Sequence, residues 1–494
     1  MGRASARAIG LPARLAGTLA PPAGPVAAVL PFGSPSSPPP PSLRAVKILA
    51  ITNLYPPHLA DTDDFRCQNV AEALADRGHT VRVLTSTCGL ASEAGHTARS
   101  VGAADGRDSL VQRRLRLNGL YGQSEVTGVG DLRELEARNN DVLRDAITEF
   151  QPEVIQVFSL RGVSKSLLVT LRRTGVPTCF DIADTWLAED LADDPWLAWW
   201  HREKLPALQK VQRTGLEVSG QRAKWDAATP TFLEPGVARL PAIFDRDAPA
   251  GTAPNSIGTP QLRRLCFSSP ALRETTAAAG FRVAHGEVIH PGVDTSLFHG
   301  EPRPADSPVR KFLVVARLTP HCGVATAIDA LQLVRAEGEK ATLTVYGRGS
   351  SEVLAKLRTR AVQCGAAVEF RSGGLQRELP LIYHAHDAFI YPVEREESFV
   401  GAPLEAMACG LPVIVSGGHG AEDLFRSQES CLAFPSGDAG ELAARMLELI
   451  QTPNLASQLA QVGQNEVLTR YQFTTAVEEI ERYLEDTVAQ WQSA

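Results

Sequence analysis

The sequence predicts an α/β protein built from two doubly wound, Rossmann-like domains with a ligand cleft between them. Short apolar segments typical of buried strands alternate with helical segments along most of the 494 residues. A chain of this length is also too long for one hydrophobic core, so two domains of roughly 200 residues are expected. A cluster of Gly, Pro, Ser and Asn at 251–260 indicates where the first domain ends.

Residues 1–45 differ in composition from the rest of the chain. They contain A-P-P-A-G-P and S-P-S-S-P-P-P-P-S, which are incompatible with a helix or an inner strand. We therefore expect a disordered, proline-rich extension. Arg3, Arg7 and Arg14, with no acid before position 45, also suit a transit peptide, so that interpretation stays open beside a loose extension.

The first domain, residues 46–254, begins with the apolar strand V-K-I-L-A-I-T at 46–52. A helix is expected over 65–77, where apolar residues recur at helical spacing and Gly78 follows. A second strand at 80–85 completes a β-α-β unit, which implies parallel strands in a buried sheet. Further helices and strands alternate at 131–150, 154–158, 163–173 and 177–181.

Residues 255–262 are interpreted as the interdomain linker and residues 263–472 as the second domain. The second series of strands is predicted at 264–267, 287–290, 311–316, 341–346, 367–370, 388–391 and 412–415. The tail at 473–494 is predicted to be a helix that packs back onto the body, because its apolar residues share one face. These residues are Val477, Ile480, Tyr483 and Leu484.

Composition excludes several classes of function. With 56 acidic and 49 basic side chains the net charge is −7, which argues against a nucleic-acid-binding protein. The eight cysteines form no C-x-x-C pair, so reduced thiols in the cytoplasm are expected and a zinc site is not indicated. No run of 18 apolar residues could span a membrane. Peripheral contact with the inner membrane face stays open.

The segment from Glu397 to Val413 carries the chemistry that the sequence predicts. Glu397 and Glu405 flank a loop of small residues that leads into a helix ending at Gly410 and then into a buried strand. We expect Glu397 in the loop and Glu405 in the first turn of the helix, where ligands of open α/β sheets bind. Carboxylates there can accept paired hydrogen bonds from vicinal hydroxyls. If the two glutamates are considered without their neighbours, the alternative is that Glu397 is a solvated acid in the loop and Glu405 only an acid at the start of the helix.

At this segment the chain resembles the retaining family-4 glycosyltransferases of GT-B architecture. Their pattern is E-G-F-G-x-x-x-x-E-A-M-A-x-G-x-P-V, and the residues that match it are Glu397, Phe399, Glu405, Ala406, Met407, Ala408, Gly410, Pro412 and Val413. Val400 departs, because the family usually has glycine there. The resemblance extends over almost everything after residue 45. It includes Y-P-P-H (55–58), R-G-H-T-V (77–81), I-H-P-G-V-D-T-S-L-F (289–298), A-R-L (316–318), L-P-L-I-Y-H-A-H-D-A-F-I-Y-P (379–392), S-G-G-H-G-A-E (416–422) and F-P-S-G-D (434–438).

The resemblance implies a role for each residue of the donor pocket. Glu405 would hold the ribose of a UDP- or GDP-sugar, Glu397 the hydroxyls of the sugar, and Arg317 the diphosphate leaving group. A cation is needed there because breaking the anomeric bond builds negative charge on the departing phosphate. The rest of the pocket would be lined by Phe399, Val400, Gly401, Ser416, Gly417 and Gly418.

The chain departs from the family in its phosphate- and acceptor-facing loops, where we place Asp61, Thr62, Cys322 and Asp184. Cys322 stands where the family has a lysine that aids the arginine, and Asp61 and Thr62 replace a Gly-Gly pair. Ala183 and Gln156 replace histidines that relatives often carry.

Losing one charge-assisted contact costs about 1.5 to 3 kcal/mol, or one to two decades in rate. Arg264 and Arg348 are candidates for the positive charge that the replaced lysine would supply. For each of them, the alternative is that it is an ordinary solvated surface arginine.

The resemblance thus implies a hexosyltransferase-like enzyme of polysaccharide biosynthesis, retaining and metal-independent, acting on a glycan or lipid-linked acceptor. The donor is a substrate, and no cofactor is expected. H-A-H-D at 384–387 resembles a metal pair, but an i, i+2 spacing on a helix sends the two imidazoles to different faces, so no metal site is expected. The altered loops support an alternative: a non-catalytic relative that binds nucleotide sugar or scaffolds an active partner.

Overall fold

The structure is a computed structural model, and residues 45–494 form one compact unit in it. It describes residues 44–56, 65–88, 110–120, 123, 125–126, 128–163, 166–189, 205–219, 264–278, 283, 285–365, 367–372, 378–394, 401–417, 425 and 427–492. The expected extension at 1–45 and the expected linker at 255–262 lie outside these residues, except for residues 44 and 45.

The first sheet has seven parallel strands in the order β3-β2-β1-β4-β5-β6-β7. The strands are β1 (Lys47–Ile51), β2 (Thr80–Ser86), β3 (Val111–Leu115), β4 (Val154–Val157), β5 (Thr178–Ile182), β6 (Leu265–Phe267) and β7 (Glu287–Val288). Alternate residues of β1 enter two different hydrophobic clusters, with Leu49 and Ile51 in one and Ile48 and Ala50 in the other. Burial of both faces explains why the strand is almost continuously apolar.

Helices cover both faces of this sheet. They are α1 (Phe65–Asp76), α2 (Val129–Phe150), α3 (Ser166–Thr174), α4 (Trp186–Glu189) and, after a mostly exposed helix α5 (Ala207–Val218), α6 (Pro270–Ala278). The chain leaves α1 through Gly78, whose φ of 100° is accessible to glycine without strain, as the sequence predicted for the end of this helix.

The second sheet repeats the same winding with six parallel strands in the order β10-β9-β8-β11-β12-β13. The strands are β8 (Lys311–Val315), β9 (Thr342–Gly347), β10 (Val368–Ser372), β11 (Ala388–Tyr391), β12 (Val413–Gly417) and β13 (Leu432–Pro435). The helices are α7 (Val324–Ala336), α8 (Ser351–Gln363), α9 (Leu379–His384), α10 (Gly401–Ala408), α11 (Ala439–Gln451), α12 (Pro453–Arg470) and α13 (Phe473–Gln492). Two doubly wound parallel sheets confirm the predicted fold class.

Two strands belong to a different sheet from the one we expected. β6 pairs with β5 and β7 pairs with β6, so both extend the first sheet rather than opening the second. The second sheet therefore begins with β8. A short apolar segment such as L-C-F shows that a strand is buried, but its sheet is decided by pairing with residues far away in sequence.

Two edge strands were not predicted. β3 has the polar sequence V-Q-R-R-L, and its Arg113 is buried because the guanidinium donates to the carbonyl oxygens of Tyr55 and Pro56. β13 is a four-residue strand beside β12. Short or polar edge strands lack the apolar pattern on which the sequence prediction relies.

The last helix, α13, packs against the first sheet although it follows the second. Its four apolar side chains at 477, 480, 483 and 484 are all buried, and they join the cluster that contains Ile48 and Ala50. Glu481, on the same helix, accepts hydrogen bonds from Arg77 and lies 2.7 Å from Nε2 of His79. None of the described helices is long and apolar enough to cross a membrane.

Candidate functional site

Several predicted site residues meet at one edge of the second sheet, where its parallel strands end, here called the carboxyl edge. Arg317 lies two residues beyond β8, and Ser416 and Gly417 are the last residues of β12. Gly401 and Glu405 lie on α10, which precedes β12. The carboxyl edge is the usual ligand-binding region of an open α/β sheet.

Six further predicted site residues lie outside the described part of the chain. They are Asp61, Thr62, Glu397, Phe399, Val400 and Gly418. Their roles therefore stay predictions, and the site is built here from the residues that flank them.

Glu405 is held by a buried tyrosine that the sequence did not single out. The Tyr383 hydroxyl lies 2.8 Å from Oε2 of Glu405 and 3.3 Å from the carbonyl oxygen of Ala402. Burial, and then the neighbouring carboxylate, raise the pKa of Tyr383 well above its ordinary value, so the phenol stays protonated and donates. α10 begins at Gly401, which places Glu405 in its second turn, so the expectation of a first-turn carboxylate was wrong.

The segment just before residue 395 is tied to its neighbours on both sides. The Ser416 hydroxyl is fully buried and donates to the carbonyl oxygen of Val393 at 2.7 Å. The backbone N–H of Glu394 donates to the carbonyl oxygen of His321 at 3.1 Å, and its carboxylate accepts from the Thr326 hydroxyl. Ser416 thus connects β12 to the residues after β11, and the start of the loop that carries Glu397 in the sequence is fixed.

The loop after β8 lies against Pro392, in the short segment that follows β11. Gly323 has φ of 67° and precedes α7, and a Cβ atom there would lie 1.6 Å from the carbonyl oxygen of Pro392. Only glycine allows this approach. The neighbouring Cys322 is 3% exposed and belongs to the hydrophobic cluster under α7. Burial raises the pKa of its thiol, so Cys322 is a neutral core residue and supplies no charge at the carboxyl edge.

Arg317 lies in a backbone segment that continues the pairing of β8 with β9. The N–H of Leu318 donates to the carbonyl oxygen of Arg348 at 2.7 Å, and Leu318 forms an isolated parallel bridge with Gly349. Both arginines are exposed. The loops after β8 and β9 therefore run side by side at the carboxyl edge.

Arg264, the other candidate for the missing positive charge, has a structural position. Its guanidinium lies 4.1 Å from the centroid of the Tyr483 ring, and it donates to the hydroxyl of Thr487 at 3.0 Å. Both partners are on α13, and Arg264 directly precedes β6 of the first sheet. Arg264 therefore joins the last helix to the first sheet.

A small cleft lies at the carboxyl end of β1, β4 and β5 in the first sheet. Its volume is about 30 Å³, enough for one or two water molecules, and Asp184 and Arg66 are among its lining residues. Asp184 accepts a 2.6 Å hydrogen bond from the N–H of Trp186 at the start of α4 and lies 3.5 Å from Arg161. Asp184 therefore lies just beyond the carboxyl end of β5, and its carboxylate also caps the start of α4.

A buried ion pair supports this cleft, and the sequence did not reveal it. Nε and Nη2 of Arg66 lie 2.8 and 3.0 Å from the two carboxylate oxygens of Asp181, which is fully buried. Gln156 donates to the same carboxylate at 3.3 Å. The arginine and the aspartate are 115 residues apart, so no local spacing could have indicated the pair.

The second histidine of the H-A-H-D segment has a structural role. His386 is buried, with Nδ1 2.7 Å from the carbonyl oxygen of Ile382 and Nε2 2.8 Å from the Thr344 hydroxyl. Burial lowers the pKa of its imidazole, which favours the neutral ring in these two hydrogen bonds. Among the described residues, no three His, Cys, Asp or Glu side chains are grouped as metal ligands would be.

Two family models match the chain. Residues 65–211 match the model described as "Glycosyl transferase 4-like domain", and residues 300–466 match the model described as "Glycosyl transferases group 1". The second match contains Arg317, Glu405 and Ser416.

The chain is also similar to curated glycosyltransferases. It is 27% identical over 237 residues to the GDP-mannose-dependent alpha-(1-6)-phosphatidylinositol monomannoside mannosyltransferase of Mycobacterium tuberculosis, covering 44% of this chain and 61% of that protein. It is 32% identical over 174 residues to the amylovoran biosynthesis glycosyltransferase AmsK of Erwinia amylovora, covering 33% of this chain and 42% of AmsK. The matches thus span about three fifths or less of each relative.

Solved structures share the fold at low sequence identity. Sucrose-phosphate synthase from Thermosynechococcus elongatus has a TM-score of 0.61 at 16% identity, covering 90% of this chain and all of that chain. Anabaena HepE in complex with UDP and glucose has a TM-score of 0.56 at 17% identity, covering 89% of this chain and all of that chain. Two parts of the chain thus match glycosyltransferase family models, and the solved structures show that the chain shares the GT-B fold of such enzymes.

Proposed function

We propose that this protein transfers a hexose from a nucleoside diphosphate sugar to a glycan or lipid-linked acceptor. The observation that carries the proposal is the arrangement at the carboxyl edge of the second sheet. There, within the group 1 domain, a carboxylate fixed by Tyr383 and a cation that follows β8 lie on the same edge. The carboxylate of Glu405 suits ribose hydroxyls and the guanidinium of Arg317 suits a diphosphate.

The reaction needs one bond to break and one to form. The bond between the anomeric carbon and the phosphate oxygen breaks, and the nucleoside diphosphate departs with the electron pair. An acceptor hydroxyl oxygen then bonds to the anomeric carbon, and its proton passes to an oxygen of the leaving phosphate. Arg317 would stabilise the charge that develops on that phosphate, and Glu397 would hold the sugar hydroxyls.

Retention of configuration and independence from metal are finer parts of this proposal. Both rest on the resemblance of the Glu397–Val413 segment to the family-4 enzymes. If the leaving phosphate accepts the proton on the face where the acceptor enters, the product keeps the anomeric configuration of the donor. Nuclear magnetic resonance of the first product tests this, and an inverted product would refute retention. Full activity in EDTA is expected, and a requirement for added Mg²⁺ or Mn²⁺ would refute metal independence.

Whether the donor nucleoside is uridine or guanosine is left to experiment. One relative is named as GDP-mannose-dependent, whereas HepE was solved with UDP. A thermal-shift screen across UDP- and GDP-sugars tests donor binding, since a ligand that binds only the folded chain raises the unfolding midpoint. A screen in which neither series shifts the midpoint would count against both donors.

The direct test is release of nucleoside diphosphate from the donor identified in that screen. Arg317→Ala is expected to lower turnover about 10²- to 10³-fold, as loss of a group that stabilises transition-state charge does. Glu397→Ala and Glu405→Gln should also lower it, with Glu405→Gln raising KM for the donor. Arg310→Ala is a matched control, because this exposed arginine lies just before β8 at the opposite edge of the same sheet. Parent-like turnover in both Arg317→Ala and Glu397→Ala would refute the proposal.

A non-catalytic relative remains the second candidate, and one observation favours it. Cys322, which stands where the resemblance expects a lysine, is a buried neutral thiol. A protein of this kind would bind nucleotide sugar without turnover. Release of nucleoside diphosphate that depends on Glu397 would eliminate it.

A further inference from the structure

The resemblance predicts two cations for the diphosphate, and Cys322 cannot provide the second. Its side chain is 3% exposed among apolar residues. Arg264 cannot provide it either, since its guanidinium stacks on Tyr483 beside the first sheet. Arg348 is the remaining candidate that the sequence indicated.

The strand register places Arg348 opposite Arg317. Val315 is paired with Tyr346 at the end of β8 and β9, and three residues later Leu318 forms the bridge with Gly349. The register is unchanged between these pairs, so Arg317 and Arg348 occupy opposed positions. Neighbouring strands are about 4.8 Å apart, and opposed residues leave the backbone on the same side of a sheet.

Two glycines make this arrangement possible. A Cβ atom at Gly347 would lie 1.9 Å from the carbonyl oxygen of Ala316, and one at Gly349 would lie 2.3 Å from the carbonyl oxygen of Leu318. Since only glycine fits at both positions, the backbone on each side of Arg348 lies directly against the loop that carries Arg317. The position of Arg348 at the carboxyl edge is therefore set by backbone packing.

We propose that Arg348 is the second cation that binds the donor diphosphate, in place of the lysine that the chain lacks. Two exposed cations at opposed positions of neighbouring strands lie close enough for one anion to contact both. A diphosphate carries at least two negative charges and can accept hydrogen bonds from two guanidinium groups at once. This inference rests on the proposed function, because it assigns a further residue to the same donor site.

The experiment measures the dissociation constants of UDP, GDP, uridine and guanosine by calorimetry for the parent chain and for variants. Arg348→Ala should weaken binding of the preferred nucleoside diphosphate about 10- to 100-fold, and leave the corresponding nucleoside within about twofold. Arg348→Lys should recover part of the loss, because it keeps the charge without the planar geometry. Raising the salt concentration should reduce the difference in nucleoside diphosphate dissociation constant between the parent and Arg348→Ala, because salt screens the charge of the arginine.

Matched variants separate this inference from the proposed function. Arg317→Ala should weaken nucleoside diphosphate binding, and Arg310→Ala, at the opposite edge of the sheet, should not. If Arg317→Ala weakens binding and Arg348→Ala does not, the inference on Arg348 is wrong and the proposed function stands. If Arg348→Ala weakens the nucleoside as much as the diphosphate, its role is structural and the inference is also wrong. If neither UDP nor GDP binds the parent chain, both are overturned.

Discussion

Replacing Tyr383 with phenylalanine removes a single hydroxyl from the contact that fixes Glu405. The Tyr383 side chain is completely buried, and its hydroxyl is 2.8 Å from the carboxylate. A hydrogen bond to a charged group contributes about 1.5 to 3 kcal/mol. Glu405 is partly exposed, so water can replace some of this contact, and a loss near 1.5 kcal/mol is expected. For a domain of about 200 residues, a loss of about 1.5 kcal/mol in the free energy of unfolding lowers the unfolding midpoint by about 3 to 6 °C.

The same change should weaken donor binding, because the carboxylate is no longer held in one position for the ribose. A loss of about 1 kcal/mol corresponds to an about fivefold higher dissociation constant for the nucleoside diphosphate. The assay is thermal unfolding with and without UDP or GDP, followed by calorimetry. A 3′-deoxyribose analogue of the nucleotide should be affected less by Tyr383→Phe if the effect passes through the ribose contact.

Tyr483→Phe is the control, because the Tyr483 hydroxyl is buried without a hydrogen-bond partner in the described part of the chain. Its removal should leave stability unchanged or slightly raised. Equal unfolding midpoints and equal nucleotide affinities in Tyr383→Phe and the parent would refute the reasoning. An equal loss in both tyrosine variants would show that the effect comes from the change of side chain and not from the contact with Glu405.

Two further predictions concern the supports of the fold. Gly323→Ala should abolish donor binding and lower the unfolding midpoint, since the new Cβ would lie 1.6 Å from the carbonyl oxygen of Pro392 at φ of 67°; a variant with parent-like donor affinity would contradict this. Burial alone would raise the pKa of Glu481, but hydrogen bonds from Arg77 and His79 outweigh it and the pKa is lowered. The ionised carboxylate therefore contributes stability above pH 4.3 or so, and this contribution is lost as the pH falls through the lower folded pKa. Glu481→Gln should cost about 2 to 3 kcal/mol at pH 7 and progressively less as the pH falls through the folded pKa, measured by urea unfolding across the acidic range; a cost that does not depend on pH would contradict the assignment.

The elements that carry Arg317, Glu405 and Ser416 could be predicted from local sequence, whereas the contacts around these elements could not. The spacing of Glu397 and Glu405 around a helix start indicated a ligand site, and the structure places Glu405 on α10, one turn later than expected. The contact from Tyr383 was not predicted, although its segment was recognised, because the hydroxyl and the carboxylate belong to different helices. The buried pair of Arg66 and Asp181 escaped notice for the same reason.

The sequence by itself determined the α/β class, the parallel winding of the sheets and the resemblance of the Glu397–Val413 segment. These follow from local patterns, since strand and helix periodicity and the residues around a turn are read within a few positions. The tertiary structure decided the sheet to which β6 and β7 belong, the burial of Cys322 and the opposition of Arg317 and Arg348. Each of these depends on pairing between segments far apart in the chain, and the direction of a side chain in a loop follows no period.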